Sequence, residues 1–233
     1  MAVALDAASS NDTRVLAGTA LTHTLLTVGV GVNRAVVFTL FFGNWVGASP
    51  TGVSVTWDSG GTPQVCNLIK SVNSTSGKGI AQVWGLVAPN SGTLTLSVAW
   101  TNASDAQVAG VAYSGADQTS PFDQSTTSTG NSSQSSVTVT TSINDAVVAA
   151  HIIVSTIQSV SSTNFTTVYN DSSNANFSTT INHEEGNSPV TMTATFTGAD
   201  FWATAATNVK IPGEVLTVPT VPFGIIGSFD TEW

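Results

Sequence analysis

Val190-Thr-Met-Thr-Ala-Thr-Phe196 sets an apolar side chain at every second position, with threonine between. A period of two sends alternate side chains to opposite faces, so one face of the segment enters a core and the other meets water. The same alternation recurs in Val53-Ser-Val-Thr-Trp57, Leu94-Thr-Leu-Ser-Val-Ala-Trp100 and Val137-Thr-Val-Thr140. Arg34-Ala-Val-Val-Phe-Thr-Leu-Phe-Phe42 and Asp145-Ala-Val-Val-Ala-Ala-His-Ile-Ile-Val154 are instead apolar on both faces. That pattern predicts central strands, covered on each side or buried at a subunit contact. Ser59-Gly-Gly-Thr-Pro63, Ala88-Pro-Asn-Ser-Gly92, Ser114-Gly-Ala-Asp117 and Glu185-Gly-Asn-Ser-Pro189 break the strands at intervals, as turn residues do. No segment combines a 3.6-residue apolar period with helix caps. The predicted fold is all-β, an antiparallel β-sandwich of jelly-roll type.

Two segments depart from this rhythm. Ser125–Ser136 is built only from Ser, Thr, Gly, Asn and Gln and is expected to be a flexible surface connection between the halves of the sandwich. The last twenty residues are rich in proline and large apolar side chains but have no strand period. The expected organisation is therefore a sandwich over residues 1–212 and an extended apolar arm over 213–233. Pro219 and Pro222 disfavour a central strand, and Val218, Val221, Phe223, Ile225, Ile226, Phe229 and Trp233 are costly to leave wet. These seven residues are the expected partner-binding set. Two readings stand for the arm: it docks on another molecule, or it folds back over its own sandwich.

Composition narrows the chemistry. Only 8% of the 233 residues are charged and 41% are hydrophobic, against about 25% charged in an ordinary soluble domain. Neutral hydroxyls and amides, rather than ions, must keep such a surface wet. Five basic residues stand against fourteen acidic ones, which argues against nucleic-acid binding, since displacing counterions from phosphates takes clustered Lys and Arg. The apolar stretches around 35–43 and 146–154 fall short of the ~20 residues a membrane-crossing helix needs. Met1-Ala-Val-Ala-Leu-Asp6 lacks the basic and apolar regions of a secretory signal, so synthesis in a cytoplasm is expected. Cys66 is the only cysteine and is read as a small buried hydrophobe.

Catalytic machinery is sparse. His23 and His151 sit in strand patterns and are read as satisfied core residues. His183-Glu184-Glu185 is the only local cluster able to hold a cation or act as an acid. Neighbouring residues on a strand face opposite ways, whereas glycoside hydrolysis needs two acids facing each other about 5–9 Å apart. A solvated loop is expected there. No nucleophile elbow, His-Glu-x-x-His pair, phosphate loop or dinucleotide fingerprint occurs. Asp117, Asp123, Asn170 and Asp171 are loop residues of a type that can hold calcium. No catalytic residue, metal site or cofactor is assigned.

Several blocks carry a resemblance. Ala7-Ala-Ser-Ser10, His23-Thr, Gly29–Gly31, Asn33-Arg34-Ala-Val-Val37, Ala81-Gln-Val-Trp-Gly-Leu-Val-Ala-Pro89, Ser91-Gly-Thr93 and above all Tyr113-Ser-Gly-Ala-Asp-Gln-Thr-Ser-Pro121 resemble a family of β-sandwich modules. That family occurs in tailed-phage virion proteins and in bacterial surface or secreted proteins, and the resemblance spans roughly residues 4–211. It implies a jelly-roll or concanavalin-like sandwich and supplies no catalytic residues. Within these blocks Trp84 and Tyr113 are read as packing anchors, and Asp117 and Gln118 as caps of the turn after Gly115. Asp6 near the first strand and Phe201-Trp202 near the last predict that the two ends meet in one sheet.

The expected function is that of a non-enzymatic structural protein of a phage virion, assembled in the host cytoplasm. Its place would be a capsid decoration, cement or head-fibre subunit, forming a homo-oligomer and binding major capsid or tail subunits, with neither nucleic acid nor membrane as partner. The alternative is a tail-fibre receptor-binding or carbohydrate-binding module, with Trp45, Trp57, Trp100 and Trp202 as stacking platforms. A glycan-degrading enzyme is a third reading and lacks an identifiable pair of convergent carboxylates.

Overall fold

The computed structural model describes residues 2–9, 12–43, 45, 47–154, 158–171, 177–185 and 189–213. The strands are β1 (Ala4–Ala8), β2 (Thr13–His23), β3 (Thr27–Val28), β4 (Ala35–Gly43), β5 (Thr51–Trp57), β6 (Gln64–Val65), β7 (Asn67–Asn73), β8 (Gly79–Val87), β9 (Gly92–Thr93), β10 (Leu96–Ser114), β11 (Ser125–Val139), β12 (Ala146–Ile153), β13 (Val160–Thr163), β14 (Thr166–Asp171), β15 (Ser178–Glu185) and β16 (Val190–Val209). No helix occurs among the described residues, and the antiparallel β-sandwich expected from the alternation is present.

One sheet runs β6-β5-β10-β4-β8-β7, with β1 and β2 also paired to β10. A second large sheet runs β11-β16-β12-β15-β14, with β13 also paired to β16, and β3 pairs only with β9. Each large sheet is organised by one long strand. On one edge β10 carries β5 along Ser97–Thr101 and then β4 along Asp105–Tyr113, while β2 and β1 line its other edge. In the same way β16 carries β13 along Ala194–Phe196 and β12 along Trp202–Val209, with β11 on its other edge.

The two sheets thus share one plan, in which β2, β4, β5, β7, β8 and β10 correspond to β11, β12, β13, β14, β15 and β16. Register extends the correspondence to single residues. Ala35 stands opposite Tyr113 and Val87, and Ala146 stands opposite Val209 and Glu185. Both central strands open on the same words, Asn33-Arg34-Ala-Val-Val37 and Asn144-Asp145-Ala-Val-Val148. The sheets pack with β8 over β16, β7 over β11 and β4 over β12, and side chains join β10 to β15 and β2 to β14. Exchanging the halves turns each of these pairs into another member of the set. The chain is therefore a pseudo-two-fold dimer of one sheet motif, with the axis at the β4–β12 crossing.

Alternation on the central strands builds three layers of core. Ala35, Val37 and Phe41 of β4 meet Ala146, Val148, Ala150 and Ile152 of β12 in the shared middle layer. Val36, Phe38, Leu40 and Phe42 turn the other way, into an outer core beneath Leu21, Val55, Trp57 and Trp100. Val147 and Ala149 likewise face an outer core with Val137, Val139, Val190 and Met192. Both faces of β4 and β12 are covered, which is why their sequences are apolar throughout.

Two expectations are corrected. Ser125–Ser136 is not a flexible connection: it lies in β11, paired to β16 from Ser125 opposite Thr207 to Val139 opposite Val190. Backbone hydrogen bonds hold such a strand whatever its side chains, so hydroxyl richness alone does not mark a loop. The two ends also do not share a sheet, since β1 pairs with β10 while Phe201 and Trp202 lie in β16 of the other sheet. The edge of β16 is already occupied by β11, which closes the second copy of the motif.

Candidate functional site

Three clusters of ionisable groups stand out, and two of them tie the sheets together. In the first, the Tyr113 hydroxyl on β10 lies 2.8 Å from His183 Nδ1 on β15. His183 Nε2 is 3.5 Å from Glu185 Oε1, and the same oxygen accepts from the backbone N–H of Leu5 at 3.1 Å. Burial pushes the Tyr113 hydroxyl well above its usual range, helped by the Glu185 charge. The hydroxyl stays protonated, and because the Glu185 carboxylate can only accept, the ring proton sits on Nε2 and Tyr113 donates to Nδ1. Burial also lowers the His183 pKa, with Glu185 opposing the shift. Leu5, Thr166, His183, Glu184 and Glu185 line a depression of about 350 Å³.

This corrects the expectation of a solvated loop at 183–185. The residues end β15, His183 is buried, and Glu185 is half exposed. The strand places His183 and Glu185 on one face at a spacing of two. The relay runs inward to a fully buried Tyr113, so a molecule in the depression meets Glu184, Glu185 and Thr166 rather than the Tyr113 hydroxyl.

The second cluster surrounds Gln107, which is 1% exposed. Its Nε2 donates to Asp12 Oδ2 and, at 2.9 Å, to Asp171 Oδ2, while its Oε1 accepts from Thr179 Oγ1 at 2.9 Å. Tyr169 donates to Asp12 Oδ1 at 2.6 Å, and Arg14 stands 3.8 Å from Asp171. Burial, then the Asp12 carboxylate, raises the Tyr169 hydroxyl far above its usual range. Here two carboxylates from different sheets do approach one another. The Gln107 amide fills the space between them, where a glycosidase would place a sugar and water.

The third cluster caps the end of the second sheet. Asp145 Oδ2 accepts from Thr141 Oγ1 at 2.9 Å and Ser142 N at 3.1 Å, and its Oδ1 accepts from Ile211 N at 3.0 Å. Asp123 holds Asn208 Nδ2 at 2.8 Å and Lys210 Nζ at 3.1 Å. Asp123, Asp145, Asn208 and Lys210 line a cavity of about 190 Å³ in which the lysine pairs with Asp123. No group of three metal-ligating side chains occurs among the described residues.

The remaining residues singled out from sequence fall as follows. Cys66 is buried in the outer core, where burial pushes its thiol up to about 12. Trp84 and Tyr113 are packing anchors, and the Trp84 ring N–H donates to Gln82 Oε1 at 2.9 Å. Asp117 caps its turn, accepting from Thr119 N at 2.7 Å and Ser120 N at 2.8 Å. Gln118 donates to the carbonyls of Arg34 and Ala116. His23 is satisfied by the hydroxyls of Ser9 and Thr13. His151 meets Ser135 and Thr204 through Nδ1, but its buried Nε2 has no partner. Asn170 and Asp171 belong to β14, not to a loop. Trp45, Trp57, Trp100 and Trp202 are all at most 7% exposed. Gln107, Tyr169 and Thr179 carry no sequence signal, because strands far apart in the chain bring them together. The arm residues Val218, Val221, Phe223, Ile225, Ile226, Phe229 and Trp233 lie outside the described residues.

No protein-family model, curated protein or solved structure matches this chain.

Proposed function

We propose that this protein is a non-enzymatic structural component of a phage virion, a capsid decoration, cement or head-fibre subunit that self-associates and binds other virion subunits. The observation that carries the reading is the use made of the few ionisable groups. Tyr113, His183 and Glu185 clamp one sheet to the other, Gln107 fills the gap between Asp12 and Asp171, and Asp145 caps backbone and hydroxyl donors. What remains for function is shape, a hydroxyl-coated acidic surface and apolar adhesive area. Adhesion would come from burial of the apolar arm at ~25 cal/mol per Å², less the entropy lost in ordering it.

The tail-fibre alternative, a receptor- or carbohydrate-binding module, asks for exposed aromatic platforms. Trp45, Trp57, Trp100 and Trp202 are packed inside, which leaves that reading without the residues that motivated it. The test of the virion reading is particle incorporation. Removing residues 214–233 is expected to strip the protein from purified particles, and undiminished incorporation would overturn the role given to the arm. Electron microscopy of the particle then assigns the protein to capsid or tail.

A further inference from the structure

One end of the molecule exposes large aliphatic side chains. Val30 and Val32, in the turn before β4, are 91% and 82% exposed, and Ile143, in the turn before β12, is 69% exposed. Val32 and Ile143 occupy equivalent places, each just before the asparagine that opens a central strand. The two turns lie at the same end of the fold, joined through the 115–116 and 2–3 segments. The Asn33 carbonyl accepts from Ala116 N at 2.8 Å, and the Asn144 carbonyl accepts from Val3 N at 3.0 Å. Between them Gly115 packs so closely on Ala2 that a Cβ there would sit 2.7 Å from the Ala2 carbonyl oxygen.

The described chain leaves the fold at this same end. Asp145, two residues after Ile143, accepts from Ile211 N. Asp117, next to Ala116, donates its N–H to the Lys210 carbonyl at 2.7 Å, and its carboxylate takes the backbone N–H of Gly213. Gly213 is thereby anchored beside both turns. The twenty residues that follow carry nine large apolar side chains and only three charged ones, Glu214, Asp230 and Glu232.

We infer that the arm, residues 214–233, docks on the end face formed by Val30, Val32 and Ile143 of its own chain. At ~3.3 Å per extended residue the arm is far longer than the step from Gly213 to either turn. A tether that short gives an effective concentration on the order of millimolar, which outcompetes a second copy in dilute solution. Pro219 and Pro222 suit an extended segment lying across a face rather than one continuing a sheet. The inference concerns the isolated chain and holds whichever virion surface the arm later meets.

Trp233 supplies the readout. Of the six tryptophans, Trp45, Trp57, Trp84, Trp100 and Trp202 are at most 7% exposed, so Trp233 is the one indole whose accessibility the arm decides. Acrylamide quenching of the full-length protein is compared with that of the V32D/I143D double variant, whose altered side chains stand in solvent. The W233F protein identifies the signal. The expected result is a shielded Trp233 in the native chain, unchanged on dilution, with loss of that shielding in the double variant. A Trp233 equally quenched in both proteins overturns the inference. So does shielding that appears only as protein concentration rises, since the arm would then belong to a second copy. Neither result depends on particle incorporation, so failure here is distinct from failure of the virion reading.

Discussion

Asn33 and Asn144 hold the same position in the two halves, and both have left-handed backbones, with φ of 59° and 75°. Each turns the chain into a central strand that begins Ala-Val-Val, and each offers its carbonyl to a backbone N–H from outside its own turn. For Asn33 the donor is Ala116. Counting on from the register of Tyr113 with Val209, the second-half equivalent of Ala116 is Pro212, which has no N–H, and Val3 donates to Asn144 instead. The strand at the start of the chain thus supplies what the repeat lacks.

Asparagine tolerates the left-handed region better than other non-glycine residues, whereas a Cβ without a local hydrogen-bonding group costs about 1–2 kcal/mol there. Asn33→Ala and Asn144→Ala should each lower stability by about that amount, and Asn→Gly at either site should cost less. Urea denaturation of the four variants checks this. Alanine variants as stable as the glycine ones would show that the turns do not demand the conformation.

Gly110 and Phe38 are cross-strand partners, and their second-half equivalents are Ala206 and Ala149. The two pairs trade volume: a ring on one strand is accommodated by the absence of a Cβ on the other. A Cβ on Gly110 would stand 2.7 Å from Phe38 Cδ1 and 2.9 Å from Leu26 Cδ2, and both of those residues are fully buried. Gly110→Ala should therefore cost about 1–3 kcal/mol by overpacking, although alanine is native at the matching site. A thermal midpoint equal to that of the native protein would contradict the pairing of Gly110 with Phe38.

Tyr113→Phe removes the donor to His183 Nδ1 and strands a buried ring nitrogen between the sheets. A loss of about 1–3 kcal/mol is expected for an unsatisfied buried acceptor. Glu185→Gln should cost less, because Glu185 is half exposed and water can replace it. If the two substitutions cost the same, the hydroxyl–imidazole contact is not the stronger link of the clamp.

Much of this architecture is legible in the chain. The continuous apolar runs at 35–43 and 146–154 identify both central strands, and strict alternation at 190–196 identifies a strand with one wet face. The duplication is harder to see, because only Asn-x-Ala-Val-Val survives in both halves while Phe38 with Gly110 has become Ala149 with Ala206. Backbone pairing does not depend on side-chain identity, so such exchanges keep the register while erasing the likeness in sequence. The first part of β11, Ser125–Ser136, is illegible for another reason: its side chains carry no apolar period, and backbone pairing with β16 is what makes it a strand. The His183–Glu185 cluster is visible, but its character is not. Tyr113 lies 70 positions away, and only the sheet-to-sheet contact turns a solvated acidic run into a buried clamp.

Stability should fall in mild acid because of two histidines. Burial holds His23 at about 4 and His151 at about 3, against 6.5 in the unfolded chain. Below pH 6.5 the unfolded chain takes up protons that the folded protein refuses. The stabilising contribution is complete above that value and declines as pH drops, levelling off only near the folded pKa values. Each ring can contribute up to about 1.4 kcal/mol per pH unit across that window. Urea midpoints at about pH 7.5 and about pH 5.5 should differ clearly, with the acid value lower. Equal midpoints would mean that both rings can be protonated without unfolding.

If the chain is a fused pseudo-dimer, the covalent link between its halves should be dispensable. The middle core draws Val37 and Phe41 from one half and Val148 and Ile152 from the other, and Gln118–Ser120, in the connection between β10 and β11, is exposed. Fragments 1–118 and 119–233 should therefore co-purify when expressed together, because the β4–β12 interface survives the cut. Each fragment alone exposes that apolar face and should aggregate. Joining the halves adds an effective concentration on the order of millimolar and no new contact, so the cut complex should dissociate on dilution while the intact chain does not. Two separately soluble, non-interacting fragments would show that the middle layer is a contact between independent domains and not one shared core.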